Sequence, residues 1–528
     1  MRDLPVQRPS VLLGSLTGGF AASVAMWAVW LTVHSVAIAT HGTTGPYAVL
    51  GACCMATLLL VAAWAGRAAG GGAPVRIGLG TGLVAGILAM LLLGSKIVEQ
   101  PETTEQMAEA ANRLRSDWPL VVLGFLLLCT LVGGIGGMIG GLMAPRGRAA
   151  PTADRWLAWF GVIGVLSMLP LIGLGGAVTS TESGMAVPDG VTSYGAFSAL
   201  FPISLMSEPR IFLEHSHRLF GSLVGLTTLA LWIATIVRTP GRSRWTTLGA
   251  TLGFVVLAAG AMGMSHAEVI PTPAAIALMA LIGIGTLGFT HAMIARGVVP
   301  GATGGLFALV TIQGLYGIVR VDENLAWVAM FHGVFAQIVF ATGAMVAAVL
   351  FDRAAPDGPL DEATAKTAAS TRRLAIIALL LTTLQIIFGG LARHITTAAG
   401  EPSTHSIYAH AGFSFVVVVA AVIAASAAAR AGSGDRHGRA IRFMGRAVFV
   451  VLFFQFLLGW MALWVVMTGE QPTRIPLADE LAVAHAIRPG EAFVTTSHQT
   501  GGALLLASLA LVLFWARRAG RIARQNAG

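Results

Sequence analysis

Charge is what this chain most conspicuously lacks. Asp, Glu, Lys and Arg make up 11% of its 528 residues, against 55% hydrophobic, too little polarity to cover a soluble protein of this length. Short segments of alternating apolar and polar residues are also missing, which excludes a transmembrane barrel. Cysteine is confined to Cys53, Cys54 and Cys129, all inside apolar runs, and these are expected as small buried packing residues, not an exposed redox pair. The opening MRDLPVQRPS has no small-residue cleavage site and is not an Arg- and Ser-rich transit segment. The first apolar run is therefore expected to be retained as a span.

What the chain has in abundance is long apolar runs. Stretches of about 17 to 25 residues are long enough to cross the hydrocarbon core as helices. Fourteen occur, at about 11–34, 47–65, 77–95, 118–143, 156–177, 211–237, 246–263, 274–295, 302–319, 326–351, 374–392, 408–429, 447–467 and 496–515. The expected fold class is an all-α polytopic membrane protein with about 14 transmembrane helices. The net charge of +9 does not imply nucleic acid. With both termini inside, the basic residues concentrate in inner loops and ends, for example Arg238, Arg242 and Arg244, then Arg436, Arg439, Arg442 and Arg446, as the positive-inside rule requires. The same arginines suit anionic lipid headgroups. The expected setting is a bacterial plasma membrane, with the bilayer as partner and both termini cytoplasmic.

Two inner linkers divide the chain. The Pro-, Gly- and Arg-rich stretch from Ala144 to Asp154 sets off four spans as residues 1–150, and the polar stretch from Phe351 to Arg373 separates 151–352 from 353–528. The last two segments read as a repeat. Each opens with a helix ending in Gly-Gly, Gly175-Gly176 and Gly389-Gly390, followed by a Thr/Ser-rich outer loop and a helix with a histidine near its outer end, His217 and His410. Each then has a Gln with Gly four residues on, Gln313 with Gly317 and Gln455 with Gly459, and a final helix with His332 or His498. Spans 246–263 and 274–295 have no counterpart in the second half, so a helix pair at about 246–297 is expected as an insertion. Since an intervening helix re-crosses the membrane, both histidine helices of a half run the same way, and the halves form a parallel-type repeat.

Ionisable groups in a bilayer are costly and mark functional paths. A single such histidine is most simply an interhelical hydrogen-bonding residue, but four at matching positions point to cofactor ligands. Neutral imidazole is an axial ligand for haem iron, and facing helices of a bundle are a usual place to hold one. Two bis-histidine haem sites are thus expected, with metal ligands His217 and His332 in one half and His410 and His498 in the other, all toward the outer side. The densest constellation is Glu214-His215-Ser216-His217-Arg218, where positions 214, 217 and 218 share a helix face. Arg218 suits either a haem propionate or an ion pair with Glu214. Arg393, at the outer end of its helix, is a candidate propionate contact in the second half. His266 is the main rival ligand; His34, His41, His405, His437 and His485 read as interfacial or loop residues.

At this point a resemblance enters. The segments from Gly175-Gly176 to Pro188-Asp189, Glu214-His-Ser-His217-Arg218-Leu-Phe-Gly221, Gln313 to Gly317, His332 to Gln337, Gln385 to His394, His410, Gln455 to Trp460, and His498 to Leu506 together resemble the haem A synthase family, the haem O oxygenases of cytochrome oxidase assembly. The resemblance covers roughly 155–518 apart from the insertion, and leaves 1–150 as an N-terminal membrane extension. It implies two pseudo-symmetric four-helix haem-binding bundles. His410 and His498 would bind a haem b that relays electrons, and His217 and His332 would hold the substrate haem O, with Glu214 needed for catalysis. The implied reaction oxidises the C8 methyl of haem O through an alcohol to the formyl group of haem A, for terminal oxidases. The implied partners are haem O, an electron donor of unknown identity, and, as candidates, haem O synthase, terminal oxidase subunits and a second copy of the chain.

The chain departs from the family in three ways. The outer loop after Ala177 has no cysteine pair, so a mechanism that needs one does not apply. Ala411 stands where an Arg commonly follows the second-half histidine. Neither the extension nor the inserted pair belongs to the family's eight spans. The runner-up is a di-haem b-type electron-transfer protein resembling a quinol oxidoreductase. A third class, a transporter or haem-handling scaffold, fits the repeat but not histidines near the outer ends.

Overall fold

The computed structural model describes residues 11–42, 45–99, 113–188, 190–195, 197–201, 206–238, 297–355, 358–395, 403–468 and 477–527. Among these, twelve helices are long and apolar enough to cross a membrane. They are α1 (Val11–His41), α2 (Tyr47–Ala69), α3 (Pro74–Leu93), α4 (Trp118–Leu142), α5 (Ala153–Ser180), α6 (Pro209–Ile236), α7 (Val298–Glu323), α8 (Ala326–Arg353), α9 (Glu362–His394), α10 (Thr404–Ala429), α11 (Arg436–Thr468) and α12 (Pro489–Ala527). The only strand-like pairing among the described residues is an isolated bridge between Val98 and Leu114. The chain is an all-α polytopic membrane protein. The count among the described residues is twelve where fourteen were expected, and the helix pair expected as an insertion at about 246–297, with His266 and His291, lies outside those residues.

Helix is the local solution for these runs because a spanning segment must satisfy its own backbone groups. Where the ends leave the apolar core, side chains take over: Glu208 accepts from the Ile211 N–H ahead of α6 and Asp361 from the Ala363 N–H ahead of α9. Several helices run one to three turns past the apolar runs that announce them, α9 and α12 most of all.

The chain folds as two compact units, one of residues 1–171 and 186–318, the other of 172–185 and 319–528. In the first, α1 to α4 pack together, with α3 and α4 in the closest contact. Gly78 and Gly82 lie so near Gly133, Gly137 and Cys129 that an added Cβ would strike the opposite backbone, the small-residue packing by which membrane helices approach closely. The other face of α1 presents Trp27 to Phe220 and Trp30 to Phe212, with ring centroids 5.3 and 5.5 Å apart. The N-terminal helices are thus packed onto α6, the helix of Glu214 and His217.

In the second unit α9 to α12 form a four-helix bundle, each helix touching the next in a ring, and α8 packs on α9 and α12. Its core is built on alanine, with Ala375 and Ala378 of α9, Ala421, Ala424, Ala425 and Ala428 of α10, and Ala516 and Ala519 of α12, around Val448, Leu509 and Val512. The end of the bundle away from His410 is closed by charge. Asp352 of α8 accepts from Arg518 Nε at 2.7 Å and Arg436 Nη2 at 3.0 Å, and faces His437 Nε2 at 3.4 Å. One expectation changes here: His437, read as interfacial or in a loop, is buried between Asp352 and Asp435. α8 also extends far enough to take in buried Asp352, an acid within a helix besides Glu214.

Candidate functional site

Within the second unit, α10 and α12 start at the same end, because α11 returns the chain, and they stand diagonally across the four-helix ring. His410 lies in the second turn of α10 and His498 in the third turn of α12. The two imidazoles face each other with ring centroids 6.1 Å apart and planes crossed at 83°. Both are half-buried.

Neighbouring helices determine how these rings stand. His410 Nδ1 lies 3.1 Å from the Gln385 carbonyl oxygen of α9, and the Gln385 side-chain amide donates back to the His410 carbonyl at 2.9 Å. A backbone carbonyl can only accept, so Nδ1 carries the proton and Nε2 is left with a lone pair, the arrangement that typically orients a metal-binding histidine. One turn on, a Cβ at Gly389 would come within 3.0 Å of His410 Cε1. Gly459 of α11 relates in the same way to His498, again at 3.0 Å from Cε1, with Gln455 one turn earlier. The Gln-x-x-x-Gly spacing is thereby explained: the glycine makes room for the ring and the glutamine backbone faces its Nδ1. The likeness is incomplete, since the His498 interaction with the Gln455 backbone falls short of hydrogen-bond geometry and leaves Nδ1 buried without a partner.

Arg393, at the end of α9, is engaged by the chain itself. It donates to the Thr179 carbonyl and stands 3.7 Å from the Glu182 carboxylate. No group of three or more metal-ligating side chains occurs among the described residues. The His410 and His498 pair therefore offers two imidazole ligands and no third.

In the first unit α6 carries the Glu214 constellation. Glu214 is buried, with Arg218 Nε 3.1 Å from its Oε1, while Arg218 Nη1 donates to the Thr192 carbonyl at 2.7 Å and Nη2 to the Val187 carbonyl at 2.9 Å. Of the two alternatives for Arg218, the ion pair is the one formed, and the guanidinium also clamps the loop ahead of α6. His215 holds the same loop, with Nδ1 3.2 Å from Ser193 Oγ and its ring 4.5 Å from that of Phe201. Tyr194 completes it by donating to the Ala186 carbonyl at 2.7 Å; burial pushes its phenol up to about 12. His217 is half-buried on α6 and His332 half-buried on α8. His34, expected at the interface, is fully buried and accepts from the Gly45 N–H at 2.8 Å.

Sequence reasoning assigned no role to the Gln385 carbonyl or to the Asp352 cluster. The first had a signal in the repeated Gln-x-x-x-Gly spacing. The second had none, because its members are scattered over α8, α11 and α12. Comparison with protein-family models, with curated proteins and with solved structures gives no match.

Proposed function

We propose that the chain is a membrane haem-dependent oxidoreductase that converts haem O to haem A, with a haem b held by His410 and His498 and the substrate haem O held by His217 and His332. The observation that carries this proposal is the pair of facing imidazoles. His410 and His498, with ring centroids 6.1 Å apart, are the residues that would hold the haem iron. Two ligands with no third suit a macrocycle that supplies the other four donors. The glycines Gly389 and Gly459, which leave room for the two imidazole rings, and the Nδ1 contact of His410, which leaves Nε2 free of a proton, support the reading that these side chains would be the ligands. When bound, this haem would supply one-electron transfer. The assignment of His217 and His332 rests on the sequence repeat.

The reaction takes a ring methyl through an alcohol to a formyl group in two successive two-electron oxidations, the oxygen entering either from dioxygen, whose other atom an electron donor reduces to water, or from water, with an electron acceptor taking up the two electrons of each step. Positive charge develops on the substrate as hydride leaves the methyl carbon, or as a hydrogen atom and then an electron leave it. A buried carboxylate stabilises such charge or takes a proton from attacking water, and Glu214 is the residue assigned to that work. Arg218 holds Glu214 in one rotamer and ties it to the loop that covers the start of α6. Arg393 is retained as the candidate propionate contact of the second half, where Glu182 also claims it. The proposal extends to the setting: a bacterial plasma membrane, both termini inside, and haem O synthase and terminal oxidase subunits as partners.

The test is extraction and chromatography of haems from cells that make haem O, with and without this protein. Haem A, or its hydroxylated precursor, should appear only with it. Recovery of haem B and unmodified haem O alone, under oxygen and reductant, would favour a di-haem electron-transfer protein instead.

A further inference from the structure

Beneath the His410 and His498 pair, the second unit buries several polar atoms that bond to nothing in the protein. Gln337 Oε1 of α8, Gln455 Oε1 of α11 and Thr500 Oγ1 of α12 are all solvent-inaccessible and unpartnered. Gln337 as a whole is 7% exposed. Buried polar groups left without a partner cost about 1–3 kcal/mol each, and native interiors leave few of them. The two glutamine side chains among them share one place in the fold.

Their convergence point is Gly501-Gly502 of α12. The Cβ position of Gly502 lies 3.4 Å from Gln337 Oε1 and 3.6 Å from Gln455 Nε2, while a Cβ at Gly501 would run into Gln455 Oε1. The two amides thus approach the same bare stretch of α12 from different helices. They do not bond each other, because Gln337 Oε1 has no partner. Two points at 3.4 and 3.6 Å from a third are at most about 7 Å apart, within or slightly beyond the span of one bridging water. A buried site of this kind, polar, beside a missing side chain and with two to four available partners, is where proteins keep internal water.

We infer that the second unit binds ordered water over Gly501-Gly502, donating to Gln337 Oε1 and accepting from Gln455 Nε2. The site is independent of the haem assignment. Its consequence rests on that assignment: the water is a hydrogen-bonded tie at membrane depth between α8, the helix of His332, and α11, which backs His498.

The full chain in lipid nanodiscs, imaged finely enough to resolve water, should show density between Gln337 and Gln455 beside Gly502. Direct bonding of the two amides with nothing between them would overturn the inference. A second measurement does not depend on the map. Infrared spectra in ordinary and oxygen-18 water should contain an isotope-shifted band of bound water that is lost in Gly502→Ala, whose added methyl meets only ordinary contacts, and in Gln337→Leu. Gly164→Ala, where a Cβ meets nothing within 4 Å, should keep the band. Should Gln337→Leu fail to fold, Gly502→Ala decides, since an unchanged band there would sink the site. Haem chromatography on the same preparations separates the outcomes: loss of the band with haem A formation intact supports the water site, and failure of haem A formation in the unaltered chain bears only on the enzyme proposal.

Discussion

The polar cluster of α6 in the first unit is buried and the histidine pair of the second unit half-buried, both within apolar helices, and they resolve the cost in opposite ways. Around Glu214 the chain answers its own charges: Arg218 neutralises the carboxylate and its remaining nitrogens go to Val187 and Thr192. Around His410 and His498 it does not. One imidazole has its Nδ1 answered, the other has none, and the glutamines beside them carry unpartnered oxygens. A self-satisfied cluster needs no ligand to be stable, whereas an unsatisfied one leaves polar groups to which a partner from outside the chain can bond.

That difference gives the largest expected effect. On the haem proposal, His410→Ala or His498→Ala should abolish a b-type haem absorption in purified protein, because each would remove one of the two proposed ligands. Glu214→Gln should leave that absorption in place and lower haem A formation by about 10²-fold or more, the scale of losing an electrostatic group at a reacting centre. Full conversion by Glu214→Gln would remove the role given to Glu214, and an unchanged spectrum in His410→Ala would remove the haem site.

Next in size is Arg218→Ala. The pair is buried, with side-chain exposures of 12% and 4%, so removing one partner strands a carboxylate and should cost about 3–5 kcal/mol. It also releases two loop carbonyls. Thermal unfolding in detergent should move down, and the loop between α5 and α6 should become accessible to protease. Equal stability of Arg218→Ala would show that Glu214 is answered by something other than Arg218.

Much of this was legible in the sequence, and the limits have physical causes. Apolar length alone announces a spanning helix, so each of the twelve helices coincides with an expected run. Their ends were harder, since amphipathic turns of α9 and α12 beyond the apolar core carry charge, and that is how Asp352 escaped notice at the end of α8. The facing of His410 and His498 follows from the two-crossing rule and the repeat. Their support from Gln385 and the glycines was visible only as spacing, because a backbone carbonyl has no residue signature. His34 and His437 were misplaced for a related reason: both sit where a helix end reads as interface, and only packing by Trp30 and Phe212 in one case, and by Asp352 and Asp435 in the other, buries them. The extension 1–150 also reads differently once folded, since the stacking of Trp27 and Trp30 on α6 gives it a packing role beside the Glu214 helix.

The smallest effect tests the self-satisfied side of the comparison inside the second unit itself, at the opposite end of α10 from His410. Burial pushes the Asp435 carboxyl up, but hydrogen bonds from the Gly438 N–H, the Thr364 hydroxyl and the Asp361 and His437 N–H groups outweigh it and hold the group below the usual carboxylate range. A carboxyl whose folded pKa is depressed stabilises the fold at every pH above its unfolded value of ~3.9, and that contribution is lost as pH falls through the folded value. Asp435→Asn removes the charge but keeps an acceptor and should cost about 1–3 kcal/mol, read as a lower melting temperature at neutral pH. The gap between variant and parent should narrow below about pH 4, where the parent carboxyl begins to protonate. A gap that stayed constant down to that acid range would mean the loss is steric, with the charge on Asp435 contributing nothing to closing the end of the bundle away from His410.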